Sequence, residues 1–104
     1  MSTAFDTSVL PTTSPLQEFV DTHALADLIE NGKRIAAQCF ILDGPIVTRL
    51  VEDPESGCEW VELVAPTKGE IPEVRQAHHR FTREWLKVVP VEKTLMVRLF
   101  LSLA

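Results

Sequence analysis

The spacing of hydrophobic positions changes along the chain, and each change marks an expected element. Leu16, Phe19, Val20, His23, Ala24, Leu28 and Ile29 recur at three- and four-residue intervals, the period of an amphipathic helix. Ser14, Pro15 and Gln17 in front of them form a helix-start signature: the hydroxyl accepts from an orphan N–H, proline fits the first turn, and glutamine can complete a capping box. Asn31-Gly32 reads as a left-handed stop, so a first helix is expected over residues 15–31, with Thr22 as an alternative cap for a shorter one.

Beyond Gly32 the pattern reads as extended. Residues 34–42 are rich in Ile, Phe and Cys, Asp43-Gly44-Pro45 is a turn, and residues 46–52 form a second strand-like run, which together predict a hairpin. A further turn at 53–57 leads into residues 58–65, where Val61, Leu63 and Ala65 alternate with Trp60, Glu62 and Val64. Three strands in a meander are the simplest connection. Val74, Ala77, His78, Phe81, Trp85 and Val88 then give an apolar stripe, with Arg75, His79, Arg80, Arg83, Glu84 and Lys87 opposite, predicting a second helix over 72–89 that stops before Pro90. Residues 94–104 alternate with period two, Leu95, Val97, Leu99, Leu101 and Leu103 on one side and Thr94, Met96, Arg98, Phe100 and Ser102 on the other; this predicts a last strand, with a helix as the alternative.

The expected fold is α+β, two amphipathic helices packed on a four-stranded, mainly antiparallel sheet in the order α-β-β-β-α-β. Residues 1–14, rich in Ser and Thr with little to bury, are expected to form a flexible arm, and residues 15–104 a single domain. Several strands lack a clean apolar/polar alternation, so either helices cover both faces or a second subunit covers what they leave bare. Little in the terminal strand except Arg98 resembles an edge-protecting device, and edge-to-edge pairing with its copy is one expectation.

Composition narrows the functional classes. In 104 residues, 15 Asp and Glu against 10 Lys and Arg give a net charge of −5, which disfavours polyanion binding. The element order resembles that of double-stranded-RNA-binding domains, but Pro72-Glu73-Val74 stands where a lysine cluster would be needed, and no nucleic-acid partner is expected. No run approaches the ~20 apolar residues of a membrane span, so no membrane partner is expected. The N-terminus lacks a secretory-signal pattern and the two cysteines are too few for a disulfide scaffold; a cytoplasmic setting is expected, with Cys39 and Cys58 buried in strands.

Catalytic motifs are missing: there is no Gly-x-Ser-x-Gly, Walker loop or dinucleotide fingerprint. His78 and His79 are ~100° apart around a helix and cannot share one ion. His23, Cys39, Cys58 and His78 lack paired ligand spacing, and the acidic group Glu52, Asp53, Glu55, Glu59 and Glu62 lacks a calcium-loop pattern; no metal or cofactor is expected. The leading expectation is a non-catalytic protein-interaction module forming a homodimer, with Trp60, Arg98, Leu99, Phe100 and Leu101 as interface candidates. Arg75, His79 and Arg83, on one line of the second helix, are candidates for an anionic partner. The alternative is a small-ligand or metal-binding domain with a pocket between helix one and the sheet, using His23 and His78.

Overall fold

A computed structural model describes residues 14–103 of the chain. The expected arm therefore lies outside the described residues, apart from Ser14. The elements are α1 (Pro15–Thr22), α2 (Ala26–Cys39), β1 (Ile41–Leu42), β2 (Val47–Glu52), β3 (Glu59–Lys68), α3 (Ile71–Trp85), a short 3-10 turn (Val91–Lys93) and β4 (Val97–Leu103). The class is α+β and the order is α-β-β-β-α-β, with the first helical position divided in two.

Helix α1 starts as its sequence dictates: the Gln17 N–H donates to Ser14 Oγ at 3.1 Å and Pro15 occupies the first turn. Gln17 does not complete a capping box; its side-chain amide donates to Asp21 Oδ1 instead. The helix stops at Thr22, not at Asn31. Ala24 takes a left-handed φ of 54°, its N–H donates to the Asp21 carbonyl, and the Leu25 N–H reaches back to the Val20 carbonyl at 2.9 Å. These are the two bonds of a Schellman stop, and the hydrophobic pair that usually accompanies it is present, since Val20 and Leu25 are both buried.

Helix α2 then runs through the region expected to begin a strand. Leu25, Leu28, Ile29, Gly32, Ile35, Ala36 and Phe40 are all buried, and their three- and four-residue spacing is helical throughout. Gly32 is not a stop. A Cβ there would lie 2.7 Å from Leu63 Cδ1 and 3.1 Å from Trp85 Cζ3, so glycine lets α2 sit close to both the sheet and α3.

Strand β3 is the centre of the sheet. On one side it pairs antiparallel with both β1 (Ile41↔Lys68, Leu42↔Thr67) and β2 (Val47↔Val64 through Glu52↔Glu59), and on the other it pairs parallel with β4 (Val61↔Val97 through Thr67↔Leu103). The expected meander is therefore corrected. The two runs flanking Asp43-Gly44-Pro45 do not pair with each other; they are pieces of one lane along β3, interrupted by a bulge. The turn at 53–57 does join two paired strands, with Gly57 at φ 76°.

The core lies between one sheet face and the helices. Val61, Leu63 and Val97 meet Ile29, Ile35, Phe40, Val74, Ala77, Phe81 and Trp85, all buried, and Ala65 is buried on the same strand as Val61. In α3 the stripe is Val74, Ala77, Phe81 and Trp85, as expected, but His78 is exposed and off it, and Val88 is exposed beyond the helix end. The helix ends at Trp85, and turn-like bonds carry the chain to Val89.

Candidate functional site

Strand alternation fixes what the second sheet face carries, because residues directly opposite in the register point the same way. Three cross-strand rows result: Val51 with Trp60; Arg49 with Glu62 and Arg98; Val47 with Val64 and Phe100. The buried helix residues gather on the opposite face, while Val47 and Phe100 remain 56% and 46% exposed and Trp60, Glu62 and Val64 half-buried.

Two arginines shape this face. The Arg98 guanidinium lies 4.0 Å from the centroid of the Trp60 ring, and its Nε donates to the Leu95 carbonyl at 3.1 Å. Arg49 donates to Glu62 from Nε at 2.9 Å and from a terminal nitrogen, with its guanidinium carbon 5.5 Å from the Phe100 centroid. Each stacking contact is worth about 0.5–1 kcal/mol at such exposure. Trp60 Nε1 is buried without a hydrogen-bond partner among the described residues, a local cost of roughly 1–3 kcal/mol. The surface is thus apolar and aromatic, with its charges held flat against it.

The edge of β4 adjoins this face. Val61 N–H donates to the Met96 carbonyl. Alternation then turns the backbone groups of residues 98, 100 and 102 towards β3 and those of 97, 99, 101 and 103 outward. Among the described residues no strand lies along that outer side. Of the interface candidates, Trp60, Arg98 and Phe100 share the open face, whereas Leu99 and Leu101 point to the helix side, half-buried against the core. Val47, Arg49, Val51 and Val64 were not among those candidates; the register set by the turn at 53–57 is the signal that would have added them.

Arg75, His79 and Arg83 are exposed on α3 at one-turn spacing. The ion pairs among the described residues, Lys33–Glu30, Arg49–Glu62, Lys68–Asp43 and Lys87–Glu84, include none of the three.

The pocket expected between the first helix and the sheet has a counterpart. A cleft of about 280 Å³ is lined by Pro15, Glu18, Phe19, Thr22, His23, Leu50 and Glu59, with the His23 ring 4.5 Å from that of Phe19. His78 is outside that lining, and among the described residues no group of three or more His, Cys, Asp or Glu is placed to hold a metal ion. Neither cysteine sits in a strand: Cys39 ends α2 half-buried and Cys58 is exposed before β3.

Of the acidic group, Asp53 and Glu55 lie in the turn, while Glu52 ends β2 and Glu59 and Glu62 lie in β3. Asp53 accepts from the Glu55 N–H and from the Ser56 hydroxyl, both at 3.0 Å, and these bonds hold its carboxyl below the ordinary aspartate range. Glu62 is taken by Arg49.

A second groove, of about 250 Å³, runs between the start of β1 and α3, where Arg80 donates to the Cys39 carbonyl at 3.1 Å. Among the described residues no helix is long and apolar enough to cross a membrane. Compared with known protein families, with curated proteins and with solved structures, the chain finds no match.

Proposed function

We propose that this chain is a non-catalytic protein-interaction module that works as a homodimer, in a cytoplasmic setting. The observation that carries the reading is the outer edge of Val97–Leu103, along which no strand lies among the described residues, beside a sheet face bearing Val47, Val64, Trp60 and Phe100. A long, flat, hydrophobic edge is a template for another strand, and folded proteins normally blunt it with charge, proline or a bulge. The sole charge in β4 is Arg98, and its guanidinium is folded onto Trp60. A homodimer covers the edge with a surface the chain already supplies, and closed two-fold pairing is the commonest way for a soluble chain to associate. Two free thiols, Cys39 and Cys58, accord with a reducing compartment.

Sedimentation equilibrium from low to high micromolar protein tests the reading. The expected result is a mass that rises to that of two chains; a strict monomer across the range overturns it.

A further inference from the structure

The bare strand has an internal symmetry that selects one mode of self-pairing. Around Phe100 the apolar residues of β4 mirror one another, Leu99 against Leu101 and Val97 against Leu103, with Arg98 set against Ser102. We infer that two copies join β4 to β4 antiparallel, with the two-fold axis at Phe100, into one sheet continuous across both chains. This rests on the homodimer reading and adds its register.

The backbone supports that register. Residues 97, 99, 101 and 103 carry the outward N–H and C=O groups, as follows from the Val61-to-Met96 bond. An axis at residue 100 sets 97 against 103 and 99 against 101, so every outward group meets an outward group and the strand pairs over its whole length. Phe100 then faces its own copy at a non-hydrogen-bonded position, where the Cα atoms approach to about 4.5 Å and side chains are closest. Phe100 is 46% exposed in the single chain, so this contact has surface left to cover.

Side-chain chemistry selects the same arrangement. Antiparallel pairing keeps both open faces on one side, so the half-buried Leu99 and Leu101 meet leucines on the helix side and Arg98 meets the neutral Ser102. Parallel pairing about a two-fold axis along the strand would set the leucine ladder of one copy beside the open face of the other. An antiparallel axis at residue 98 would place Arg98 against Arg98; like charges directly opposite are destabilising, and the axis at Phe100 avoids them.

Charge substitutions read the register directly in sedimentation equilibrium. Phe100→Lys and Phe100→Glu, tested singly, should each weaken dimerisation at least about tenfold, because residue 100 opposes itself, while an equimolar mixture of the two should recover a dimer. Ser102→Glu should tighten the wild-type dimer a few-fold by facing Arg98 of the other copy, and Ser102→Lys should weaken it by a similar factor. Ser102 is exposed, so this second pair keeps the test available if the Phe100 variants fold poorly. A wild-type dimer that ignores the Phe100 substitutions, fails to recover on mixing, or responds with the same sign to both Ser102 changes overturns the register and leaves the dimer standing. A wild-type monomer at high micromolar concentration overturns both.

Discussion

Along one margin of the sheet, β1 and β2 follow β3 as two pieces separated by Asp43, Gly44, Pro45 and Ile46, with Lys68 paired to Asp43 and Arg49 to Glu62 across the lane. Along the other, β4 runs from Val97 to Leu103 without proline or bulge, its arginine folded over Trp60. Both margins flank the same central strand and share one core, so the difference cannot come from fold stability alone. The first has the devices by which folded proteins discourage strand addition, and the second lacks them. A chain that blunts one edge and leaves the other bare is limited to pairing at a single site. On the proposed homodimer reading this gives a closed pair, whereas two bare edges would propagate.

Removing the guarded edge's interruption should have the largest effect. The pairing sums of the two pieces differ by two residues, as Ile41↔Lys68 and Val47↔Val64 show, so deleting Gly44 and Pro45 brings β1 and β2 into one register. The expected outcome is a second continuous edge and masses beyond two chains in light scattering, growing with concentration. A deletion variant that folds and stays at the wild-type mass would show that the bulge is not what limits pairing.

Guarding the bare edge comes next. Leu101 has an outward N–H, so Leu101→Pro removes a donor from the free side while leaving the bonds to β3 in place. Dimerisation should weaken at least about a hundredfold, the monomer losing about 1–3 kcal/mol from the truncated packing of a half-buried leucine. Circular dichroism checks that the fold persists, and sedimentation reads the dissociation. Undiminished dimerisation in a folded Leu101→Pro chain would place the contact elsewhere.

How much of this contrast is legible in the sequence depends on whether local chemistry or tertiary contact decides the element. Helix α3 and strand β4 have apolar periods that follow burial at Val74, Ala77, Phe81 and Trp85 in the one and at Val97, Leu99 and Leu101 in the other, and local pattern suggests both types. The α1 stop was hidden because its left-handed position is filled by Ala24, at a cost of about 1–2 kcal/mol for a residue with a Cβ, and the burial of Leu25 that compensates is a long-range fact. Gly32 misled in the opposite sense: beside Asn31 it looks like a terminator, but Leu63 and Trp85 occupy the space a side chain would need. Asp43-Gly44-Pro45 carries the residues of a hairpin turn and serves as a bulge, because α2 consumes the run that would have been the hairpin's first strand. Trp60, Arg98 and Phe100 were legible by alternation from either strand alone. Their neighbours Val47, Arg49 and Val64 required the register.

The smallest expected effect separates the edges by their anchoring. The guarded lane is tied to β3 through the turn at Asp53, whose carboxylate holds the Glu55 N–H and the Ser56 hydroxyl, while the Asp53 N–H donates to the Cys58 carbonyl at 2.8 Å. Asp53→Ala should loosen this turn and speed amide exchange in Val47–Glu52 while leaving Val97–Leu103 unchanged. Because those hydrogen bonds lower the folded-state pKa of Asp53, the unfolded chain binds the proton more readily. The wild-type advantage is therefore complete above the ordinary aspartate value, about 3.9, and is lost as pH falls through the lowered one. Urea midpoints of wild type and variant should differ slightly at neutral pH and converge in acid. A gap that widened in acid would mean that the charged carboxylate is not what secures the turn, and the guarded edge would then owe its register to the Arg49–Glu62 pair and the apolar row beside it.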